Sequence, residues 1–191
     1  MNKGRLEAFS DGMIAIFITI MVLEFKVPHE AEPTALLPLL PEFLSYVLSF
    51  VFLGIYWSNH HHLLQVIKHV DGRVLWANPH LLFWLSLIPF VTAWMGQNHF
   101  AAWPVALYGV ALLGSAIAYT VLTMTLVNLH GGDSLLARAM GHDFKGKISL
   151  AAYLLAIPLA FVDTWFAGAI YVAVAIMWLL PDRRIEKILA D

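Results

Sequence analysis

The chain has 191 residues, of which 60% are hydrophobic and 13% charged, with a mean hydropathy of +0.75 and a formal charge of −2. A soluble domain of this length carries about a quarter charged residues and about half apolar ones, so this composition describes an integral membrane protein. It contains no cysteine, which excludes disulfides, thiol catalysis and Cys-based metal sites.

The first apolar segment runs from about Phe9 to Phe25 and opens with Arg5, Ser10 and Asp11. Lys3 and Arg5 resemble the basic start of a signal peptide, yet no small-residue cleavage site follows, so the segment reads as a retained membrane helix. At about 100° per residue, Gly12, Ile16, Thr19, Ile20 and Leu23 share roughly one third of its circumference, with Asp11 roughly opposite. That stripe suits a dry, narrow lining, although taken alone it is more ordinarily the mark of helix packing.

A polar link bearing Pro28, Pro33, Pro38 and Pro41 precedes a second segment, Phe43 to Ile67, which turns polar at Ser58 to His62. The third segment runs from Val74 to Met95 with Pro89 inside it, and the fourth from Val105 to Val127. The final apolar stretch, Ile148 to Leu180, holds 33 residues broken only at Asp163-Thr164. A span takes about 17–25 residues, so this stretch is too long for one and slightly short for two.

The basic residues arbitrate. With six spans and an inner N-terminus, Lys3, Arg5, Lys68, Arg73, Arg138, Lys145, Lys147, Arg183, Arg184 and Lys187 lie inside, and only Lys26 lies outside. This is a strong positive-inside bias. The expected architecture is therefore all-α, a single membrane domain over residues 1–191. Its helices fall at about 7–27, 42–67, 73–96, 103–128, 146–162 and 164–181, with both termini cytoplasmic. No internal duplication is visible, so a pore requires several copies of the chain.

Enzymatic motifs do not survive scrutiny. His60-His61-His62 points three ways around a helix rather than converging on zinc. His29-Glu30-Ala31-Glu32 lacks the second histidine of a zincin. Gly114-Ser115 lacks a nucleophile elbow, and Gly131-Gly132-Asp133 reads as a turn. No Thr-Val-Gly-Tyr-Gly carbonyl filter is present. The reading is a protein that is not an enzyme, with no cofactor, no metal and no nucleic-acid partner.

The polar groups inside the apolar segments are few. Arg5, Ser10, Asp11, His60 and Asn78 all fall near the cytoplasmic ends of their helices under this topology. Polar groups at membrane depth are costly, so a shared network among these five is expected, with helix-to-helix glue as its main role. A proton relay using Asp11 and His60 is the alternative, which would make the chain a proton-coupled transporter.

Arg5-x-x-x-Phe9-Ser10-Asp11 on the first membrane helix resembles the signature of the transmembrane protein 175 family of lysosomal and prokaryotic potassium channels. Trp57-Ser58-Asn59-His60 resembles that family's Trp-x-x-His on helix two. Asn78 with Ile88-Pro89 resembles its Asn and Leu-Pro on helix three. The similarity extends over residues 5–96 and points to the single-repeat prokaryotic branch. It implies a six-helix protomer that assembles as a homotetramer in the plasma membrane of a bacterium or archaeon. It also implies a pore lined by helix one and passive conduction of potassium in preference to sodium. The constricting isoleucine of the family corresponds to Ile16, followed by Thr19, Ile20 and Leu23, the stripe already drawn from the helical wheel. Potassium enters as the permeant ion only.

Overall fold

The computed structural model describes residues 3–67, 69–131, 134, 136–137 and 143–179. Lys68, Arg138, Arg183, Arg184 and Lys187, and the expected end of the last helix at 181, lie outside them. The described chain is all-helical: α1 (Lys3–Leu23), a 3-10 turn (Pro33–Leu39), α2 (Leu40–Gln65), α3 (Gly72–Ser86), α4 (Ile88–Gln97), α5 (Ala102–His130), α6 (Phe144–Leu159) and α7 (Thr164–Leu179). Since α3 and α4 form one nearly continuous rod, six helical segments result. Among the described residues four stretches are long and apolar enough to cross a membrane: Lys3–Leu23, Pro33–Gln65, Gly72–Gln97 and Ala102–His130. The last two helices have 16 residues each. At 1.5 Å per residue that is about 24 Å, short of the roughly 30 Å hydrocarbon core.

Local chemistry explains where the helices begin and end. α1 starts at Lys3, one turn earlier than the apolar run alone suggests. The Lys3 ammonium donates to the Gln65 and Ile67 carbonyls at the end of α2, at 3.3 and 3.2 Å, and so anchors the first turn. The Asp71 carboxylate caps α3 by accepting from the Arg73 and Val74 N–H groups, both at 3.0 Å. The third segment breaks at Leu87 because Pro89 has no N–H and its ring crowds the carbonyl four residues back. Asp163 ends the break between α6 and α7 by accepting from the Trp165 N–H at 2.7 Å. The α4–α5 corner closes through His99 and Phe100 with φ of 49° and 57°, the left-handed region, without a glycine. Phe100 N–H bonds the Met95 carbonyl there at 2.9 Å.

α5 is the central post. It packs against α3, α4, α6 and α7, whereas α1 packs on α2, α3 and α4 at one side of the bundle. Small residues set the closest approaches, as is usual between membrane helices. A Cβ on Gly114 would strike the Trp84 ring, and one on Gly109 would strike the Tyr171 hydroxyl. Tyr108, Tyr171, Phe52, Leu53 and Leu112 fill the space between. Several polar atoms in this core pair with one another: Ser49 Oγ lies 2.6 Å from Thr92 Oγ1 and 3.0 Å from the Tyr108 hydroxyl, and Tyr171 donates to the Val105 carbonyl at 3.1 Å.

Candidate functional site

The two faces of α1 are chemically separate. Leu6, Ser10, Ile14, Phe17 and Met21, spaced at three and four residues, are buried against α2, α3 and α4. The opposite face lies largely open among the described residues. Ile16 is 51% exposed, Ile20 39% and Leu23 79%. Gly12 and Thr19 are exposed beside them, as are Arg5 and Phe9 at the N-terminal end.

The buried face is fixed by a chain of hydrogen bonds across three helices. Asn78 Nδ2 donates to Ser10 Oγ at 2.9 Å, and Ser10 Oγ donates to the Leu6 carbonyl at 2.9 Å. With its amide nitrogen so used, Asn78 turns its oxygen to His60 Nε2, 2.7 Å away. His60 Nε2 must then carry the hydrogen, which leaves Nδ1 as a buried acceptor without a partner. Every donor in this chain points from α2 through α3 into α1. Ser10, His60 and Asn78 are all fully buried.

Asp11 and Arg5 are not in that chain. Asp11 Oδ1 accepts from the Trp57 indole N–H at 3.0 Å, nearer the surface. Arg5 meets no hydrogen-bonding or charged partner among the described residues. The single five-residue network expected from the sequence thus resolves into a buried triad, a separate Asp11–Trp57 pair and a lone arginine. The reason is angular: Ser10 and Asp11 are successive residues about 100° apart, so one faces α3 and the other α2.

The Asp11–Trp57 pair belongs to a ladder that sequence reading missed. Lys3, Glu7 and Asp11 recur every four residues on α1, and Trp57, His61 and Gln65 do so on α2. The two rows run antiparallel, the Lys3 ammonium meeting the Gln65 backbone carbonyl, Glu7 meeting His61 at 3.1 Å, and Asp11 meeting Trp57. His61 is further stacked on Trp57 with ring centroids 6.0 Å apart and held by Gln65 at 2.8 Å. The i, i+4 polar spacing on both segments was the signal available. Among the described residues no group of three or more His, Asp or Glu side chains is placed to hold a metal ion.

An apolar helical bundle in which one membrane helix is bonded along one side and bare along the other defines a polytopic membrane protein whose protomer leaves a helix for further contact. The family model for the endosomal/lysosomal potassium channel TMEM175 matches residues 5–89. A Chryseobacterium protein named a potassium channel is 53% identical over 191 residues, covering 100% of both chains. The crystal structure of a lysosomal potassium-selective channel TMEM175 homolog from Chamaesiphon minutus superposes with a TM-score of 0.79 at 29% identity, covering 93% of this chain and 96% of that one. The endosomal/lysosomal proton channel TMEM175 of Homo sapiens is 28% identical over 116 residues, 54% of this chain and 23% of that protein. The chain belongs to the TMEM175 family.

Proposed function

We propose that the chain is the subunit of a homotetrameric potassium channel of a bacterial or archaeal plasma membrane, with α1 from four copies lining the pore. The observation that carries this is the bare apolar face of α1 in a chain that shares its fold with a potassium-selective channel homolog. Ile16, Ile20 and Leu23 lie largely open among the described residues, while Ser10, Glu7 and Asp11 of the same helix are bonded to α2 and α3. Four helices meeting along that face would enclose rings of branched alkyl groups.

The mechanism follows from hydration. A ring of four Ile16 side chains offers no oxygen to replace lost water, so an ion passes it partly dehydrated or as the ring widens. Potassium holds its water less tightly than sodium and meets the lower barrier. Thr19 Oγ1 donates its hydrogen to the Ile16 carbonyl at 2.9 Å, which leaves its oxygen lone pairs as the outward polar surface between two alkyl rings. Lone pairs without a competing hydrogen suit a cation. The same alkyl rings serve as a gate when they close enough to expel water. Liposome flux under opposed potassium and sodium gradients tests this. The wild type favours potassium and Ile16→Asn loses the preference, whereas a wild type that passes neither ion removes the channel reading.

The name of the human relative favours a second reading, proton transport through Asp11 and His60. Its difficulty is that Asp11 bonds Trp57 while His60 bonds Asn78, so the two have no common hydrogen-bonded path in the protomer. Asp11→Asn keeps an acceptor for Trp57 and removes the titratable group. A channel so altered still conducts potassium; a proton relay through Asp11 stops moving protons, read with a pH dye inside the liposomes.

A further inference from the structure

Two neighbouring parts of the bundle present apolar faces of different length. α5 and α6 run antiparallel in a register that three contacts fix. The Trp103 and Phe161 rings lie 4.8 Å apart, Ile157 lies against Gly109, and Asp143 shares a small pocket with Tyr119. Trp165, at the start of α7, has its ring 6.3 Å from that of Phe100, at the same end. The three helices are therefore level at the Trp103 end. From there the exposed residues Trp103, Leu107, Val110, Ile117, Val121 and Met124 make one apolar stripe along α5. It is about 32 Å long and matches a hydrocarbon core of about 30 Å.

α6 and α7 stop short of that length. Trp165 and Trp178 are separated by only about 20 Å along α7. α6 begins opposite Tyr119, and α5 runs on from that level to His130, about 16 Å further. The first turn of α6 carries Asp143, Lys145 and Lys147, so charge stands at a depth where Val121 and Met124 of α5 are still apolar and exposed. Asp143 has no freedom to reach for water, because its Oδ1 is pinned by the Gly146 N–H at 2.9 Å. The Lys145 ammonium lies 5.8 Å from the centroid of the Trp178 ring, whose indole N–H donates to Ser149 Oγ at 2.8 Å. A tryptophan under a lysine is a pairing suited to the headgroup level.

A flat bilayer cannot serve both flanks. Headgroups level with Met124 leave Asp143 and two lysines in hydrocarbon, and headgroups level with Asp143 leave Val121 and Met124 in water. Charge in hydrocarbon costs more than thinning the lipid by a few ångström, so the lipid gives way. We propose that phospholipid headgroups dip toward the bilayer midplane at the start of α6, by about 8–10 Å, so that α6 and α7 face a locally thinned bilayer whose phosphates meet Lys147. On the topology expected from the basic residues, the dip lies in the cytoplasmic leaflet.

The chain contains no cysteine, so a single introduced one takes a nitroxide spin label cleanly. Phe144→Cys at the start of α6, Leu154→Cys in its middle and Met124→Cys on α5 replace side chains 69%, 60% and 61% exposed. The full chain is reconstituted in dioleoyl phosphatidylcholine liposomes with a water-soluble nickel chelate on both sides. The ratio of nickel to oxygen accessibility is expected to be at least about tenfold higher at Phe144→Cys than at Leu154→Cys, because hydrocarbon excludes the chelate. Met124→Cys, although further from the midplane, is expected to resemble Leu154→Cys. Nickel carried on a chelating lipid headgroup relaxes the Phe144→Cys label as well. A hydrocarbon-like ratio at Phe144→Cys overturns the proposal, as does a Met124→Cys label as open to nickel as the Phe144→Cys one. Relaxation by dissolved nickel alone also overturns it, showing a water-filled crevice without lipid. Exclusion of both reagents from Phe144→Cys does the same, showing a protein contact such as a second copy. Lys147→Cys repeats the reading if Phe144→Cys does not fold.

Discussion

One side of α1 holds Ser10, Glu7 and Asp11, each bonded to a named partner on α2 or α3; the other holds Ile16, Ile20 and Leu23, exposed among the described residues. The two sides are made of the same 21 residues and differ only by rotation about the helix axis. Membrane helices gain little from burying apolar surface, because lipid is as apolar as they are. Directional hydrogen bonds therefore set the angle and register at which α1 docks. With the angle so fixed, the remaining face is presented reproducibly, and every copy would offer the same ring-forming side chains. On the proposed reading the polar face governs how α1 docks and the apolar face governs passage, and substitutions should separate the two.

The largest effect is expected on the bonded side. Asn78→Leu strands the His60 Nε2–H in a dry core, at about 1–3 kcal/mol for the unpaired group, and removes the donor to Ser10 Oγ, which keeps its own bond to the Leu6 carbonyl. For a chain of this size that corresponds to a fall in melting temperature of about 5 °C or more at fixed scan rate, with loss of oligomer on size exclusion. An unchanged melting curve would show that the triad does not hold α1. Ile16→Asn should invert the pattern. Its side chain lies half open in the protomer, so melting stays within about 2 °C of wild type, while the preference for potassium over sodium disappears in liposome flux. If Ile16→Asn unfolds the protein as readily as Asn78→Leu, the two sides are not separable and the bare face is a structural contact.

The sequence exposed these two sides unequally. The stripe through Ile16, Thr19, Ile20 and Leu23 follows from helical periodicity alone, because a side chain's direction on a helix depends only on its number. The closeness of Ser10, His60 and Asn78 was also legible, since buried polar groups at one depth must find partners. Which partner each chooses was not. Ser10 and Asp11 are adjacent in the chain yet serve different helices, and that choice depends on how α2 and α3 cross α1. The antiparallel pairing of Lys3, Glu7 and Asp11 with Gln65, His61 and Trp57 was half visible as two i, i+4 rows, but their register is a tertiary fact. The Ser49, Thr92 and Tyr108 cluster left no trace at all, because hydroxyl residues are common in membrane helices and most bond their own backbone, as Thr120 does to Ala116. The break at Leu87 came from Pro89, whose effect on a helix is local and therefore readable, although whether the rod bends or parts is decided by its neighbours.

The smallest effect is expected where the bare face carries its one hydroxyl. Thr19→Val keeps the shape and removes an oxygen whose hydrogen is already committed to the Ile16 carbonyl. An exposed bond of this local kind contributes about 0.5–1 kcal/mol, so melting should scarcely move. If alkyl rings set selectivity, the potassium preference survives in Thr19→Val and only the flux declines, because an ion loses a polar resting place between Ile16 and Ile20. If the oxygen itself selects, Thr19→Val loses the preference as fully as Ile16→Asn does. Flux ratios for the two variants, measured in the same lipid and at the same protein density, separate a filter of excluded water from a filter of coordinating oxygen.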